Sequence, residues 1–457
     1  MVKLDQHTVE QYTQLVIYAL NGQNKGKFRE LFLELHPTDQ VELFSGFDEV
    51  QKALVVEYLT PEEFAEIFQG MESEDQKEVV RELEDGYASE MLSNMYTDDL
   101  VSFLGELEEQ EAKDIIEQLD IEDAKEINEI LNYEPDSAGS IMTTEYISIC
   151  TSDTASKVME RLREQEPEAE TIYYLYVVNQ VEELVGVLSL RDLLFARLDQ
   201  KIEDIMSTRI VSVNVKTDQE EVAKLIKKYD FLAIPVVKDD GKLVGIVTVD
   251  DVMDIIEEEV AEDFGEITAT KGSSDVNISS FQAAKMRAPW ILILMFLGLV
   301  TAGIIGQFED TLATIVLLAA FIPMIMGSAG NTGTQALAVM VRSIAIGQVN
   351  RSTVRQLIRR EFGTGIILGI ICAIALLVII PVAYFTYDAK FMLAFIVAFS
   401  LLCTLSIATM IGAIIPILIN KLKIDPAVAS GPFITTLNDI IGLLIYFYIA
   451  TMFLEYL

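Results

Sequence analysis

One carboxylate in the middle of a long apolar stretch constrains this chain more than any other feature. Asp439 interrupts the last hydrophobic segment, which runs approximately from 427 to 454. At 1.5 Å per helical residue it lies ~21 Å from Asp425 and ~22 Å from Leu454, near the midplane of a bilayer. An ionisable group at that depth is expensive to hold and marks an ion pathway. Asp425-Pro426 reads as a helix start, with the carboxylate capping and the proline at the first helical position. Gly431-Pro432 reads as a point where the helix breaks or loosens. Gly431, Thr435, Asp439 and Gly442 share one helical face, a small and polar stripe with Thr436 and Asn438 beside it.

Four more apolar segments precede it, at approximately 289–307, 312–341, 361–386 and 391–419. Their connections alternate in charge. Lys285 and Arg287 precede the first segment, and Glu309 and Asp310 follow it. Arg342, Arg351, Arg355, Arg359 and Arg360 lie between the second and third, and Lys421 and Lys423 precede the fifth. Basic connections on one side place the N-terminus in the cytosol and the C-terminus outside. The second segment is interrupted, first by Ile322-Pro323 and then by the run Gly327-Ser328-Ala329-Gly330-Asn331-Thr332-Gly333-Thr334-Gln335. Irregular backbone at membrane depth is tolerated only where it packs on protein or borders water. Glycines alone signal close helix packing. Asn331, Thr334 and Gln335 beside Gly330 point instead to a pore lining.

The charge is unevenly divided. Residues 281–457 hold 7 acids against 10 basic residues, whereas the first 280 hold 64 against 23. An acidic soluble half favours cations as ligands and argues against nucleic acid. The cysteines Cys150, Cys372 and Cys403 form no disulfide framework, and MVKLDQHTVE carries no apolar signal region, so the acidic half is expected in the cytosol.

Residues 1–134 repeat every twelve positions. Leu35, Phe47, Leu59, Met71, Leu83, Met95, Leu107, Leu119 and Leu131 form one apolar series, and eight residues after each lies a second, from Leu43 and Val55 to Ile127. Turn-and-cap patterns such as Thr60-Pro61-Glu62-Glu63 follow the first series. Each unit is a short helix with a tight connection, and stacked hairpins of two units give an all-α superhelix.

Residues 135–253 hold a longer repeat. Ile141-Met142-Thr143 recurs as Ile205-Met206-Ser207, and VGVLSLRDLL (185–194) recurs as VGIVTVDDVM (244–253). Each copy reads strand, helix, strand, strand. The pair resembles tandem CBS domains, an α/β module whose closing [ST]-x-x-D is matched by Ser189-Leu190-Arg191-Asp192 and by Thr248-Val249-Asp250-Asp251. That resemblance implies a cleft able to hold an adenosyl ligand such as ATP, with Asp192 on the ribose hydroxyls and Tyr174 and Arg191 as neighbours.

From there VDDVMDIIEEEVAEDFGEI leads into a connecting segment at 254–288. It sets Asp251, Asp254, Glu258 and Glu262 near one helical face, with Glu259 and Asp263 beside it. Close like charges repel by a few tenths of a kcal/mol per pair, and magnesium and calcium favour such all-oxygen surroundings.

A helical N-domain, a CBS pair, an acidic connecting (plug) helix and a membrane domain of five helices (289–457) carrying GNTGTQ and DPAVASGPFITTLND together resemble the MgtE family of magnesium channels. The resemblance covers essentially the whole chain. It implies a multi-pass homodimer of the cytoplasmic membrane, not an enzyme, whose pore runs along the two-fold axis with Asp439 of each protomer facing Mg2+. It also implies regulatory Mg2+ at Asp251, Asp254, Glu259, Glu262 and Asp263, at Glu220 and Asp230 of the second CBS copy, and at Asp98 or Asp99 of the helical domain. Among other readings, a zinc protease lacks any histidine beyond His36, and an ATP-driven pump lacks a phosphate-binding G-x-x-x-x-G-K-[ST] loop. A CBS-regulated transporter of another divalent cation or solute is the alternative.

Overall fold

A computed structural model of the chain describes residues 9–164, 169–270, 278–345, 351–422 and 431–456. They belong to two units, Met1–Glu257 and Glu258–Leu457.

The first unit opens with α1 (Val9–Asn21), α2 (Lys25–Phe32), α3 (Pro37–Ser45), α4 (Glu49–Tyr58), α5 (Pro61–Gln69), α6 (Ser73–Glu82), α7 (Asp85–Leu92), α8 (Thr97–Gly105), α9 (Glu109–Ile116) and α10 (Ile121–Leu131). From α3 onwards a helix begins every twelve residues, the period of the apolar repeat. Leu35, Phe47, Leu59 and Met71 are buried from the turns that enter each helix, and Val55, Ile67, Val79 and Met91 from within the helices. Both series therefore face one continuous core. Asp48 and Thr60 close capping boxes with Gln51 and Glu63, which satisfies backbone N–H groups that a helix start leaves orphaned. Arg29 ties α2 to α5: its guanidinium donates to both Glu63 oxygens at 2.7 and 2.5 Å and to the Tyr58 carbonyl at 2.8 Å.

The two CBS copies follow. The first comprises β1 (Ser148–Cys150), α11 (Ala155–Glu164), β2 (Tyr174–Val178), β3 (Leu184–Ser189) and α12 (Leu190–Phe195), and α13 (Ile202–Ile205) leads to the second. The second comprises β4 (Val213–Asn214), α14 (Gln219–Tyr229), β5 (Ala233–Val237) and β6 (Leu243–Thr248). In each sheet the first strand runs parallel to the middle one and the last antiparallel to it. The repeated openers cross over. Thr143 exchanges backbone hydrogen bonds with Ile246 at 2.9 and 3.0 Å, and Ser207 exchanges them with Val187 at 2.9 and 3.0 Å. Met142 and Met206 then seat on glycines of the opposite copy: a Cβ at Gly245 would lie 2.7 Å from Met142 Sδ, and one at Gly186 2.5 Å from Met206 Sδ. The internal repeat is thus also a mutual clasp. α15 (Val249–Thr268) continues from β6 and contributes residues to both units.

The second unit contains α16 (Ser280–Gln307), α17 (Glu309–Thr314), a 3-10 turn at Val316–Phe321, α18 (Ile322–Ala345), α19 (Arg351–Ala383), α20 (Lys390–Lys421) and α21 (Gly431–Met452). Among the described residues, five spans are long and apolar enough to cross a bilayer. α20 is the most buried and packs against α18, α19 and α21, while α16 and α19 leave most of their apolar surface exposed. The expected interruption of the second span lies elsewhere than in the glycine run. It is confined to α17 and the 3-10 turn; Pro323 then sits at the second position of α18, where its missing N–H costs nothing, and the run 327–335 is regular helix. Gly431 and Pro432 are the first described residues of α21; the residues before them, with Asp425-Pro426, lie outside the described residues.

Candidate functional site

Two constellations carry chemistry, one in each unit. In the membrane unit, α18 and α21 touch where glycine replaces bulk. A Cβ at Gly330 would lie 2.5 Å from Thr435 Cγ2 and 3.3 Å from Asp439 Oδ1. The helices approach this closely only because Gly330 has no side chain. Thr334 lies one turn along: its hydroxyl donates to the Gly330 carbonyl at 2.8 Å and lies 3.1 Å from the Thr435 hydroxyl. The Thr436 hydroxyl donates to the Pro432 carbonyl at 2.9 Å. Asp439 is half-buried, and its Oδ1 has no hydrogen-bond partner among the described residues. Beside this contact opens a cavity of about 870 Å³, with Asn331, Thr334, Gln335, Thr435 and Thr436 forming its polar wall. Ile267 of α15 lines the same cavity and packs with Leu337, Val341 and Ile434.

Asn438 does not line that cavity. It is 1% exposed, turned from Thr435 by the helical advance of its neighbours, and seated where a Cβ at Gly333 would overlap its Nδ2. Neither of its amide atoms has a partner among the described residues. Gly412 of α20 meets Gly333 from the other side, its Cβ position overlapping the Gly333 carbonyl oxygen. The glycines expected at a pore therefore divide: Gly330 faces the acid and Gly333 a three-helix contact.

In the first unit, ligand-capable oxygens of Asp98, Glu170 and Asp251 lie within 4.8 Å of one another. They come from α8, from the loop before β2 and from α15. The leading charges acting on each are other carboxylates. Burial, then the charge of Asp251, holds the Asp98 carboxyl well above the usual carboxylate range. Burial, again with Asp251 next, pushes Asp99 up to about 7 and Glu170 up to about 8. Burial also raises Asp251, against a hydrogen bond from the Thr248 hydroxyl. Half-buried acids arranged so that each disfavours ionisation of the next are a site short of positive charge. A hard cation with oxygen ligands meets that need. Asp98, Asp99 and Asp251 were legible as candidates; Glu170 was not, because it sits in a loop with no periodic pattern to single it out.

The remaining acids are not among the three, though the charge of Asp254 acts on Asp99 and Asp251. Glu220 and Asp230 lie at opposite ends of α14: the first pairs with Lys224 at 2.7 Å, and the second ends the helix in the left-handed conformation. Asp254 is exposed on α15; Glu259, Glu262 and Asp263 lie further along the same helix, in the second unit. In the CBS cleft, Ser189 caps α12: Asp192 N–H donates to its oxygen at 3.1 Å, and its hydroxyl donates to Asp192 Oδ2 at 2.7 Å. Thr248 and Asp251 repeat the side-chain bond. The same motif therefore leaves Asp192 and Arg191 exposed in one copy and turns Asp251 towards other acids in the other. Tyr174 opens β2, opposite Ser189.

Comparison with known proteins follows the same division. The family model for the MgtE intracellular N domain matches residues 35–136, that for the CBS domain matches 138–199 and 202–258, and that for the MgtE divalent cation transporter matches 322–449. A protein of Bacillus subtilis (strain 168) named magnesium transporter MgtE is 41% identical over 97% of this chain and 98% of its own. One of the same name from Enterococcus faecalis (strain ATCC 700802 / V583) is 42% identical over 98% of each. A solved structure described as the cytosolic domain of the Mg2+ channel MgtE in complex with ATP is 36% identical, with a TM-score of 0.50. It covers 53% of this chain and 99% of that one.

Proposed function

The chain belongs to the MgtE family of divalent cation transporters, and from that premise we propose that it conducts Mg2+ through the membrane and is closed by the same ion from the cytosol. It is a transporter, not an enzyme. Mg2+ releases its waters reluctantly, so a pore serving it reads the hydrated ion through a few oxygens. The Asp439 carboxylate, set beside Gly330 and the Thr334 and Thr435 hydroxyls, supplies such a reader. In a homodimer, two Asp439 groups across the two-fold axis double the charge at one constriction, which favours a divalent ion over a monovalent one. The C-terminus lies outside the cell in this arrangement.

Regulation rests on a single observation: three carboxylates from separate elements converge with no cation of the protein among the charges that dominate them. At low internal Mg2+ their repulsion favours a loosened unit. As Mg2+ rises it bridges Asp98, Glu170 and Asp251 and stabilises the closed state, a population shift by a ligand that prefers one conformation. α15 carries this to the pore, since Asp251 lies near its start and Ile267, near its end, packs on α18 and α21. Asp254, Glu259, Glu262, Asp263, Glu220 and Asp230 are proposed as further cation contacts. The CBS cleft at Tyr174, Arg191 and Asp192 is proposed to take ATP, as the structurally similar cytosolic domain does.

The test is Mg2+ entry into liposomes carrying the full chain. Wild type should conduct at low internal Mg2+ and stop as it rises. Asp439→Ala should not conduct, and Asp251→Asn should conduct but close poorly. Equal flux through wild type and Asp439→Ala would remove the pore assignment, and normal closure in Asp251→Asn would remove the regulatory one.

A further inference from the structure

Glu145 stands beside the three-carboxylate cluster without being part of it, and both of its carboxylate oxygens accept hydrogen bonds. Its Oε1 accepts the Thr97 hydroxyl at 2.6 Å. Its Oε2 accepts the Thr97 N–H at 3.3 Å, the Thr144 N–H at 3.1 Å and the Thr143 hydroxyl. A carboxylate offers about four acceptor positions, and four donors converge on this one, three of them on Oε2. The backbone carbonyl of Glu145 accepts the Glu170 N–H at 3.0 Å.

Each of these bonds leads to a member of the cluster. Thr97 is the first residue of α8, immediately before Asp98. No side chain caps α8 from its own N-cap position, so Glu145 supplies from another part of the chain the anion that a helix start favours. Glu170 is tied through its own N–H. Thr143 exchanges backbone bonds with Ile246, two residues before Thr248, whose hydroxyl holds Asp251. Thr143 is fully buried, so this path has no freedom to drift.

We infer that Glu145 is a positioning residue: its carboxylate takes hydrogen bonds rather than metal, and through them sets Asp98, Glu170 and Asp251 at ligand spacing. This rests on the reading of that cluster as the regulatory Mg2+ site. Three ligands from three separate elements have no common scaffold of their own, and Glu145 is where the strands of support meet.

The experiment is a Mg2+ titration of the full chain in detergent, with protection of the cytosolic unit from limited proteolysis as the readout and melting in chelator as the folding control. Five variants are compared with wild type: Glu145→Ala, Thr97→Val, their double, Thr97→Ser and Asp251→Asn. Glu145→Ala and Thr97→Val should each raise the Mg2+ midpoint about tenfold or more, the usual effect of losing a partner that orients a ligand. Thr97→Ser keeps the hydroxyl and should stay at the wild-type midpoint. The double variant Glu145→Ala/Thr97→Val should be no worse than the weaker single, because both remove one interaction. If Thr97→Val titrates as wild type while Asp251→Asn is shifted, Glu145 acts as a ligand or not at all, and the inference is overturned. If Asp251→Asn is also unshifted, the regulatory metal site itself is wrong. Should Glu145→Ala fail to fold, Thr97→Val against Thr97→Ser decides the matter, since neither changes charge.

Discussion

The contact of Gly333 with Asn438 yields a prediction that separates packing from pore lining. In Gly333→Ala, the new methyl would overlap Asn438 Nδ2 and stand 3.0 Å from its Cγ, where carbon atoms settle at about 3.5–4.0 Å. Asn438 is buried and has no room to turn aside, so α18 and α21 must part or the amide must leave its rotamer. Overpacking of this kind costs about 1–3 kcal/mol. Removing the obstacle should recover most of it: Gly333→Ala/Asn438→Ala should be more stable than the sum of the single changes by about 0.5–3 kcal/mol, the range for residues in contact. Gly412→Ala supplies the contrast. Its methyl meets the Gly333 backbone carbonyl, which Asn438→Ala leaves in place, so no recovery is expected. Thermal unfolding of the purified full chain in detergent, followed by size-exclusion profile, compares wild type with the three single and two double variants. Additive effects in the Gly333/Asn438 pair, or equal rescue of Gly412→Ala, would refute this account of the three-helix contact.

Other expectations concern the first unit and the cleft. Because burial and neighbouring acids raise Asp99 to about 7 and Glu170 to about 8, the folded unit holds protons that the unfolded chain has released. The contribution of these two groups to metal-free stability should therefore be complete below about pH 4 and be lost as pH rises towards 8. Mg2+ needs the deprotonated oxygens, so its protective midpoint should fall between pH 6 and pH 8; a constant midpoint contradicts the site. Arg29→Ala removes two charge-assisted hydrogen bonds to Glu63 and one to the Tyr58 carbonyl, and should destabilise the helical domain by about 1–3 kcal/mol in a chemical denaturation curve. Asp192→Ala should weaken nucleotide binding in equilibrium dialysis with ATP while leaving Mg2+ entry at low internal Mg2+ intact. Undiminished ATP binding would move the ligand out of that cleft.

Legibility followed the range of the physical signal. The twelve-residue repeat set the spacing of helix starts because each unit needs the same apolar pair to close against its neighbour, and α3 to α10 keep that spacing. The succession of strands and helix in both CBS copies was readable from short apolar runs, and the five spans from hydropathy alone. The glycine run of the second span was harder. Glycine carries two meanings at membrane depth, a bent backbone or a close neighbour, and the sequence near Gly330 and Gly333 is compatible with both. Neighbouring helices decided for the second: Thr435, Asn438 and Gly412 occupy the space the missing side chains leave.

By itself, then, the sequence determined the elements, their periodicities, the place of Asp439 within the last apolar span and the acid-rich identity of α15, all of which depend on residues near one another in the chain. Only the tertiary structure decided which acids meet. Asp98, Glu170 and Asp251 lie far apart in sequence and converge because Glu145 and the crossed openers of the CBS copies bring α8, a loop and α15 together. It also decided which side chains of α21 face the cavity: Thr435 and Thr436 line it, Asp439 lies against Gly330, and one residue's advance of about 100° turns Asn438 into a helix contact. Local pattern specifies faces; which partner a face meets is set by the packing of elements that the sequence holds far apart.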